Sequence, residues 1–246
     1  MEDCFFNQIA KDYNLKRRKP WKPFESFFQR LKKKDYSFKG VNIDLGCGNG
    51  RHFKLLQQKD CKLIGIDNSI EFLRIANDNL NDNTQYDKKE VALIQIVCAD
   101  LKFIPIRTNL IQNIFSIATF HHIKSKSKRQ NAIEQLFNLL KYQGFFLLTV
   151  WRKWQRKYRS YFFLDLIKRF FNPSYRRLQV SSGLNEFGDR IIPWTISKEK
   201  RIYNRFYHFF SKREIKKLLR KFTIKEFKII GGPGNRDNFF ILAQKI

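Results

Sequence analysis

In "VNIDLGCGNGRHFKLL", residues 41–56, a hydrophobic run passes through a loop of alternating glycines into an amphipathic run. No other stretch constrains the fold as strongly. Gly46, Gly48 and Gly50 stand where a strand has to turn into a helix around a ligand. Glycine suits that turn because it accepts positive φ and lets a ligand press on the backbone. A dinucleotide loop has the pattern G-x-G-x-x-G, and its third glycine would fall at position 51, which is Arg51. The spacing therefore argues against a pyrophosphate. Asp44, immediately before the loop, argues for a cationic ligand. S-adenosylmethionine carries a sulfonium and an ammonium, and a carboxylate beneath it is favourable.

Strand and helix signals alternate from 41 to 151. Strand-like runs lie at 41–45, 62–66, 92–98, 111–118 and 145–151. Asn68, with Glu71 three residues on, reads as a capping box opening a helix that carries Ile70, Leu73 and Ala76. Ile133, Leu136, Phe137 and Leu140 form a helical stripe, with Gly144 as its stop. Ser211 and Glu214 form a second capping box, followed by the strands "TIKEFKII" and "NFFILAQ" around a turn-rich "GGPGNRD". Alternating strands and helices predict a doubly wound α/β sheet, here seven-stranded, mostly parallel, with an antiparallel last strand and an insertion before the sixth strand.

Asp67 ends the second strand run, 23 residues after Asp44, where an acid commonly takes the ribose hydroxyls. Asp100 follows the third and is placed to meet the adenine edge. Taken singly, either acid is equally well a turn residue or a helix cap. In this order the glycine loop and the acids resemble the class I S-adenosylmethionine-dependent methyltransferases, over about residues 40–151 and again over 211–244. The resemblance implies a Rossmann-like fold whose cofactor, S-adenosylmethionine, sits over the first two strand ends. It is held by Asp44, Gly46, Cys47, Gly48, Gly50, Asp67, Asn68, Ala99, Asp100 and Leu101. The chain then reads as one methyltransferase domain, 1–246. It comprises an N-terminal helical extension (1–39), a cofactor-binding half (40–151), a basic-aromatic insertion (152–204), and a closing helix and hairpin (205–246).

Five outer segments narrow the substrate: "LKRRKPW" (15–21), "SIATFHHI" (116–123), "GDRIIPW" (188–194), "RFYHFF" (205–210) and "GNRDNFFILAQK" (234–245). Together and in this order they resemble the tRNA wobble-uridine carboxymethyl methyltransferases, with one departure. The family usually has tryptophan after "RDN", where Phe239 and Phe240 stand here. The resemblance implies a tRNA methyltransferase that esterifies the carboxylate of 5-carboxymethyluridine at the wobble position. It also implies a heterodimer with a small zinc-binding activator protein. A carboxylate is ionised at neutral pH, with an ordinary pKa of about 4, so it needs positioning and cations rather than a strong base. Arg17, Arg236, His121 and His122 are the groups expected to supply these. Adjacent histidines at a strand end can equally be structural, and Arg236-Asp237-Asn238 can equally be a tight turn. Lys19, Trp21, Tyr207, His208, Asp237 and Asn238 are the expected RNA contacts. Core packing is the alternative for Tyr207 and His208 and the favoured reading for Phe206, Phe209 and Phe210. A small-molecule methyltransferase and a non-catalytic RNA-binding subunit are the competing functions.

Charge agrees with a polyanionic partner: 49 Lys+Arg against 22 Asp+Glu give +27. A generally lysine-rich composition is the plainer explanation. Between Arg152 and Arg177 nine basic residues and eight aromatics surround a single acid, Asp165. That mixture fits an RNA surface, though an amphipathic helix on a membrane or a packed lid fits it too; RNA is favoured and no membrane partner is expected. Cys4, Cys47, Cys61 and Cys98 lack the spacing of metal or disulfide frameworks, so no metal is expected. No apolar stretch has signal or membrane-spanning length. Those features predict a cytoplasmic protein, with the nucleus as the alternative. Phenylalanine runs such as "CFF", "SFF" and "IFSIATF" are expected to exceed what one domain buries and so to mark the activator's docking surface.

Overall fold

The computed structural model describes residues 5–58, 61–82 and 86–246; Cys4 lies outside them. Helices α1 (Ala10–Lys16) and α2 (Lys22–Lys32) precede strand β1 (Val41–Leu45). The first half continues with α3 (Phe53–Leu56), β2 (Lys62–Asp67), α4 (Ile70–Asn81), α5 (Lys88–Ala92) and β3 (Ile94–Cys98). It closes with β4 (Ile111–Ile117), α6 (Lys126–Leu139) and β5 (Leu140–Trp151). The second half holds α7 (Arg159–Phe171), α8 (Pro173–Ser181), β6 (Asp189–Thr195), β7 (Ile202–His208), α9 (Lys212–Leu218), β8 (Phe222–Ile230) and β9 (Asn238–Lys245).

Seven strands pair in the order β3-β2-β1-β4-β5-β9-β8. The first five run parallel, and β9 is antiparallel to both neighbours, as the closing hairpin predicted. Strand order reverses at β1, whose neighbours are β2 and β4. The carboxyl ends of the strands there open into the crevice where ligands of such sheets bind. Side chains alternate across the sheet, so Phe239, Ile241 and Ala243 enter the core on one face and Phe240 and Leu242 the core on the other.

The N-terminal extension supplies much of the second core. Phe24, Phe27, Phe28 and Leu31 recur at helical spacing on α2 and are buried. The Phe28 ring lies 4.9 Å from Phe38 and 5.7 Å from Phe115. Burying one such side chain stabilises the fold by about 1.5–3 kcal/mol. Consequently the "SFF" and "IFSIATF" phenylalanines (Phe27, Phe28, Phe115, Phe120) are core residues, not the partner-seeking surface expected of them. Exposed apolar side chains lie elsewhere, notably Phe103 and, on α7, Phe163, Phe170 and Phe171.

Local signals needed three adjustments. The cap of α4 is Ser69, whose hydroxyl accepts from the Phe72 amide, rather than Asn68. Residues 88–92 form α5, opened by an Asp87/Glu90 capping box, so the third strand starts at Ile94. Gly144 stops no helix; it lies inside β5, where an added Cβ would meet the Gln112 carbonyl at 2.8 Å. By contrast, the Ser211/Glu214 capping box forms as read.

The insertion is a helical pair topped by a separate two-stranded sheet, β6-β7. Buried Asp165 joins the helices by accepting from Arg169 (2.9 Å) and from the Tyr175 hydroxyl (2.9 Å). Asp12 of α1 ties the small sheet down, accepting from Trp194 Nε1 (2.8 Å) and the Ser197 amide (2.9 Å). Burial alone would raise this carboxyl, but the hydrogen bonds from Lys16, Ser197 and Trp194 outweigh it and hold its pKa at about 2. Asn14 then links α1 to the glycine loop through Asn49 Nδ2 (2.7 Å). Among the described residues no helix is long and apolar enough to cross a membrane.

Candidate active site

Between the strand ends and the small sheet lies a cavity of about 1140 Å³. Its floor carries Gly46, Gly48, Asp67, Asn68, Ala99, Asp100 and Leu101, seven of the residues expected to hold a cofactor. Gly48 has φ +55° and nothing within 4 Å of where a Cβ would stand, so it is the glycine that faces open space. Gly50 does not line the cavity; a Cβ there would come within 2.7 Å of the Phe53 ring, which makes it the packing point of loop on helix. Cys47 is likewise buried in the core beneath the loop.

The acids of the floor are held firmly. Asp67 accepts from the Gly48 amide (2.9 Å) and the Ser69 amide (2.9 Å), bonds that oppose the rise in pKa caused by its burial. Asp100 accepts from the Lys102 amide (2.9 Å) and pairs with its ammonium. Asp44 lies under the loop rather than in the cavity wall. Burial, reinforced by the charge of Asp67, pushes its pKa up to about 7 despite Arg51, and Oδ2 is sealed without a partner. A sealed carboxylate oxygen under a glycine that faces empty space suits a ligand bearing positive charge, and S-adenosylmethionine meets that requirement.

The opposite wall is aromatic. Tyr207 of β7 stacks on His121 (centroids 4.8 Å, 23°) and on Trp151 (4.5 Å, 26°). His122 Nδ1 donates to the Phe206 carbonyl at 2.9 Å, which leaves Nε2 as the acceptor of the neutral ring. Burial lowers His121 well below the ordinary histidine range and brings His122 to about 4. Both rings are therefore neutral at pH 7, and the expectation that they act as cations gives way. They remain in the cavity wall as hydrogen-bonding and packing groups.

Arg17, Trp21, Asp237 and Asn238 also line the cavity, whereas Lys19 and Arg236 are exposed and do not. Asp237 accepts from the Gly234 amide (2.6 Å), so the segment is a tight turn as well as a cavity edge. His208 is placed elsewhere. It points to the other face of β7, with its ring nitrogens 2.7 Å from Asp189 and 2.7 Å from Glu214. Phe206, Phe209 and Phe210 pack as core.

Around His208 the fold gathers a cluster that spacing did not suggest. Ligand-type atoms of Glu186, His208 and Glu214 lie within 4.8 Å of one another. Arg129 pairs with Glu186 and sits 3.7 Å from Glu214, so the chain itself supplies the positive charge there. This buried group fastens the insertion to α6 and α9. Sequence reasoning also missed Trp194 and Arg205. The alternation of a strand offers the signal for Arg205: it shares a face with Tyr207, and His208 does not.

A family model described as "Methyltransferase domain" matches residues 43–148. The tRNA (carboxymethyluridine(34)-5-O)-methyltransferase of Schizosaccharomyces pombe is 24% identical over 260 residues, covering 98% of this chain and 94% of that protein. The protein of the same name from Arabidopsis thaliana is 29% identical over 146 residues, 59% of this chain and 31% of that longer protein. Among solved structures, a SAM-dependent methyltransferase from Methanosarcina mazei superposes with TM-score 0.68 at 19% identity, covering 88% of this chain and 97% of that one.

Proposed function

We propose that this chain, which carries a methyltransferase domain of the class I fold, uses S-adenosylmethionine to methylate tRNA, esterifying the carboxylate of 5-carboxymethyluridine at the wobble position. The observation that carries this reading is the extent of the likeness to the fission yeast enzyme. It runs over 98% of the chain and so takes in the cavity's walls as well as its floor. The charge of +27 suits a polyanionic substrate.

When bound, S-adenosylmethionine supplies the methyl group as a sulfonium electrophile. A carboxylate nucleophile releases no proton on becoming an ester, so the two neutral histidines are sufficient and no general base is required. Charge disappears in this reaction, which a cavity shielded from water favours over bulk solvent. The chain's tasks are to hold the cofactor on the floor, through Asp67 and the Gly48 backbone, and to bring the base against the aromatic wall. Tyr207 and Trp151 give that wall planar surface against which an unstacked base can rest. Arg17 and Trp21 stand at the cavity edge, where the rest of the anticodon loop would pass.

In this reading the chain is one domain whose insertion, 152–204, faces the RNA with its basic residues, and it works in the cytoplasm or nucleus, where tRNA resides. The small zinc-binding activator, implied by resemblance, docks beside the cofactor edge. Phe103, 78% exposed three residues past Asp100, is the apolar surface available there. A purified chain that is monodisperse and fully active alone would remove that requirement. For the reaction itself, nucleoside mass spectrometry of tRNA from cells lacking this protein should show accumulated 5-carboxymethyluridine and loss of its methyl ester. An unchanged nucleoside profile would sink the proposal.

A further inference from the structure

Eight Lys/Arg residues line the cavity among the described residues, and Arg205 is the buried one, 9% exposed. It lies on β7 opposite Ile192 of β6, and its guanidinium sits 4.7 Å from the Trp194 ring centroid and 5.1 Å from that of Tyr207. No described acid forms an ion pair with it, and its Nε is sealed without an acceptor. The three acids that line the same cavity are already engaged: Asp67 with backbone amides, Asp100 with Lys102, and Asp237 with the Gly234 amide. The neighbouring imidazoles offer no negative charge, and the field of Arg205 adds to the burial that keeps both unprotonated.

A buried guanidinium without a counter-charge is costly to the fold. Aromatic rings partly offset the cost through the faces of the guanidinium, but they leave its in-plane N–H donors unused. A planar fork of donors beside a base-sized aromatic wall fits one kind of group best, a carboxylate. We infer that Arg205 is the receptor for the substrate's carboxylate, holding its two oxygens through the terminal N–H groups and leaving an outer lone pair of one oxygen free to take the methyl group. The inference rests on the carboxymethyluridine reading above. It transfers to Arg205 the role that sequence reasoning had divided among Arg17, Arg236 and the two histidines. A backbone phosphate is the other anion a guanidinium can take in an RNA complex, and the experiment separates the two.

The test compares two anticodon stem-loops that share every phosphate and differ only at the wobble base, one carrying 5-carboxymethyluridine and the other uridine. Their affinities for the full chain are measured by fluorescence anisotropy with S-adenosylhomocysteine present. The wild-type protein should prefer the carboxymethyl loop by about ten- to a hundredfold, the range of a charge-assisted hydrogen-bonded pair. Arg205→Gln should bind S-adenosylhomocysteine as before and lose that preference, with affinity for the uridine loop unchanged. If Arg205→Gln does not fold, Arg205→Lys is measured instead. It keeps the charge without the fork and should reduce the preference. A preference retained in the variant overturns the assignment, and so does an equal weakening of both loops, which would mark a phosphate contact. If the wild-type protein itself shows no preference, the carboxymethyluridine reading fails first, a result distinct from failure of Arg205 alone.

Discussion

On the floor of the cavity, Asp67, Asn68, Ala99, Asp100 and the glycine loop come from the ends of three adjacent parallel strands. Each acid there is fixed by backbone amides within a few residues or by the loop above it. In the opposite wall, Trp194, Arg205 and Tyr207 come from a separate two-stranded sheet, and just past its second strand the chain bridges back at Phe210 to Arg152, just past the end of β5. That wall is held in place by distant partners: Asp12 from the N-terminus, Arg129 from α6 and Glu214 from α9. A floor made of short-range bonds keeps its geometry when its surroundings change. A wall positioned by long-range ties can be reshaped without disturbing the cofactor, which is how one fold accommodates many substrates.

The sharpest challenge to this contrast is Phe162→Ala. Phe162 is fully buried at the centre of the wall's small core, with its ring 5.0 Å from Phe209 and 6.0 Å from Phe187. Removing it should destabilise the protein by about 3–5 kcal/mol, measured by urea denaturation. Calorimetric titration at low temperature should nevertheless show cofactor binding close to wild type. Cofactor affinity lost in proportion to stability would mean that wall and floor form one cooperative unit.

Asp67→Ala probes the floor. It should weaken S-adenosylmethionine binding by about 1–3 kcal/mol, the value of a charged hydrogen bond, while stem-loop affinity stays within experimental error. Unchanged cofactor binding would remove Asp67 from the ribose site.

The smallest effect is a pH dependence confined to the floor. The Asp44 carboxyl has a folded-state pKa of about 7, raised above its unfolded value of 3.8. Its contribution to stability is therefore complete below that unfolded value and is lost as pH rises through about 7. A cationic ligand favours the ionised form, so cofactor affinity should increase from pH 6 to pH 7 by up to about fivefold, equivalent to ~1 kcal/mol. Asp44→Asn should flatten the profile. A wild-type profile already flat across this range would show that Asp44 does not sense the ligand's charge.

Legibility in the sequence follows the same division. Most of the floor was readable because its signals are local, a glycine loop and acids at the next two strand ends, whereas Asp44, Cys47 and Gly50, read with them, do not line the cavity. Even the antiparallel close of the sheet was visible, since a hairpin with a glycine-rich turn announces itself in consecutive residues. The wall was readable only as quoted segments without assigned directions. His208 was expected to meet the RNA because it neighbours Tyr207 in sequence, yet adjacent strand residues face opposite ways, and it joins a buried charge cluster. The two histidines at 121 and 122 were expected to be cations because their type allows it; burial, which no spacing reveals, makes them neutral.

What the sequence determined by itself was the strand–loop–helix that sets the fold and the acidic half of the site, because hydrophobic period and backbone freedom act within a few residues. What only the tertiary structure decided was which cation the cavity keeps. Arg17, Arg236 and Arg205 are equivalent as residue types, and the chain carries 49 basic residues. Among these three, only Arg205 is buried beside aromatic rings with no acid paired to it, and Arg236 is left in solvent. The difference comes from desolvation and missing counter-charge, properties of the space around a side chain that arise once distant segments have packed together.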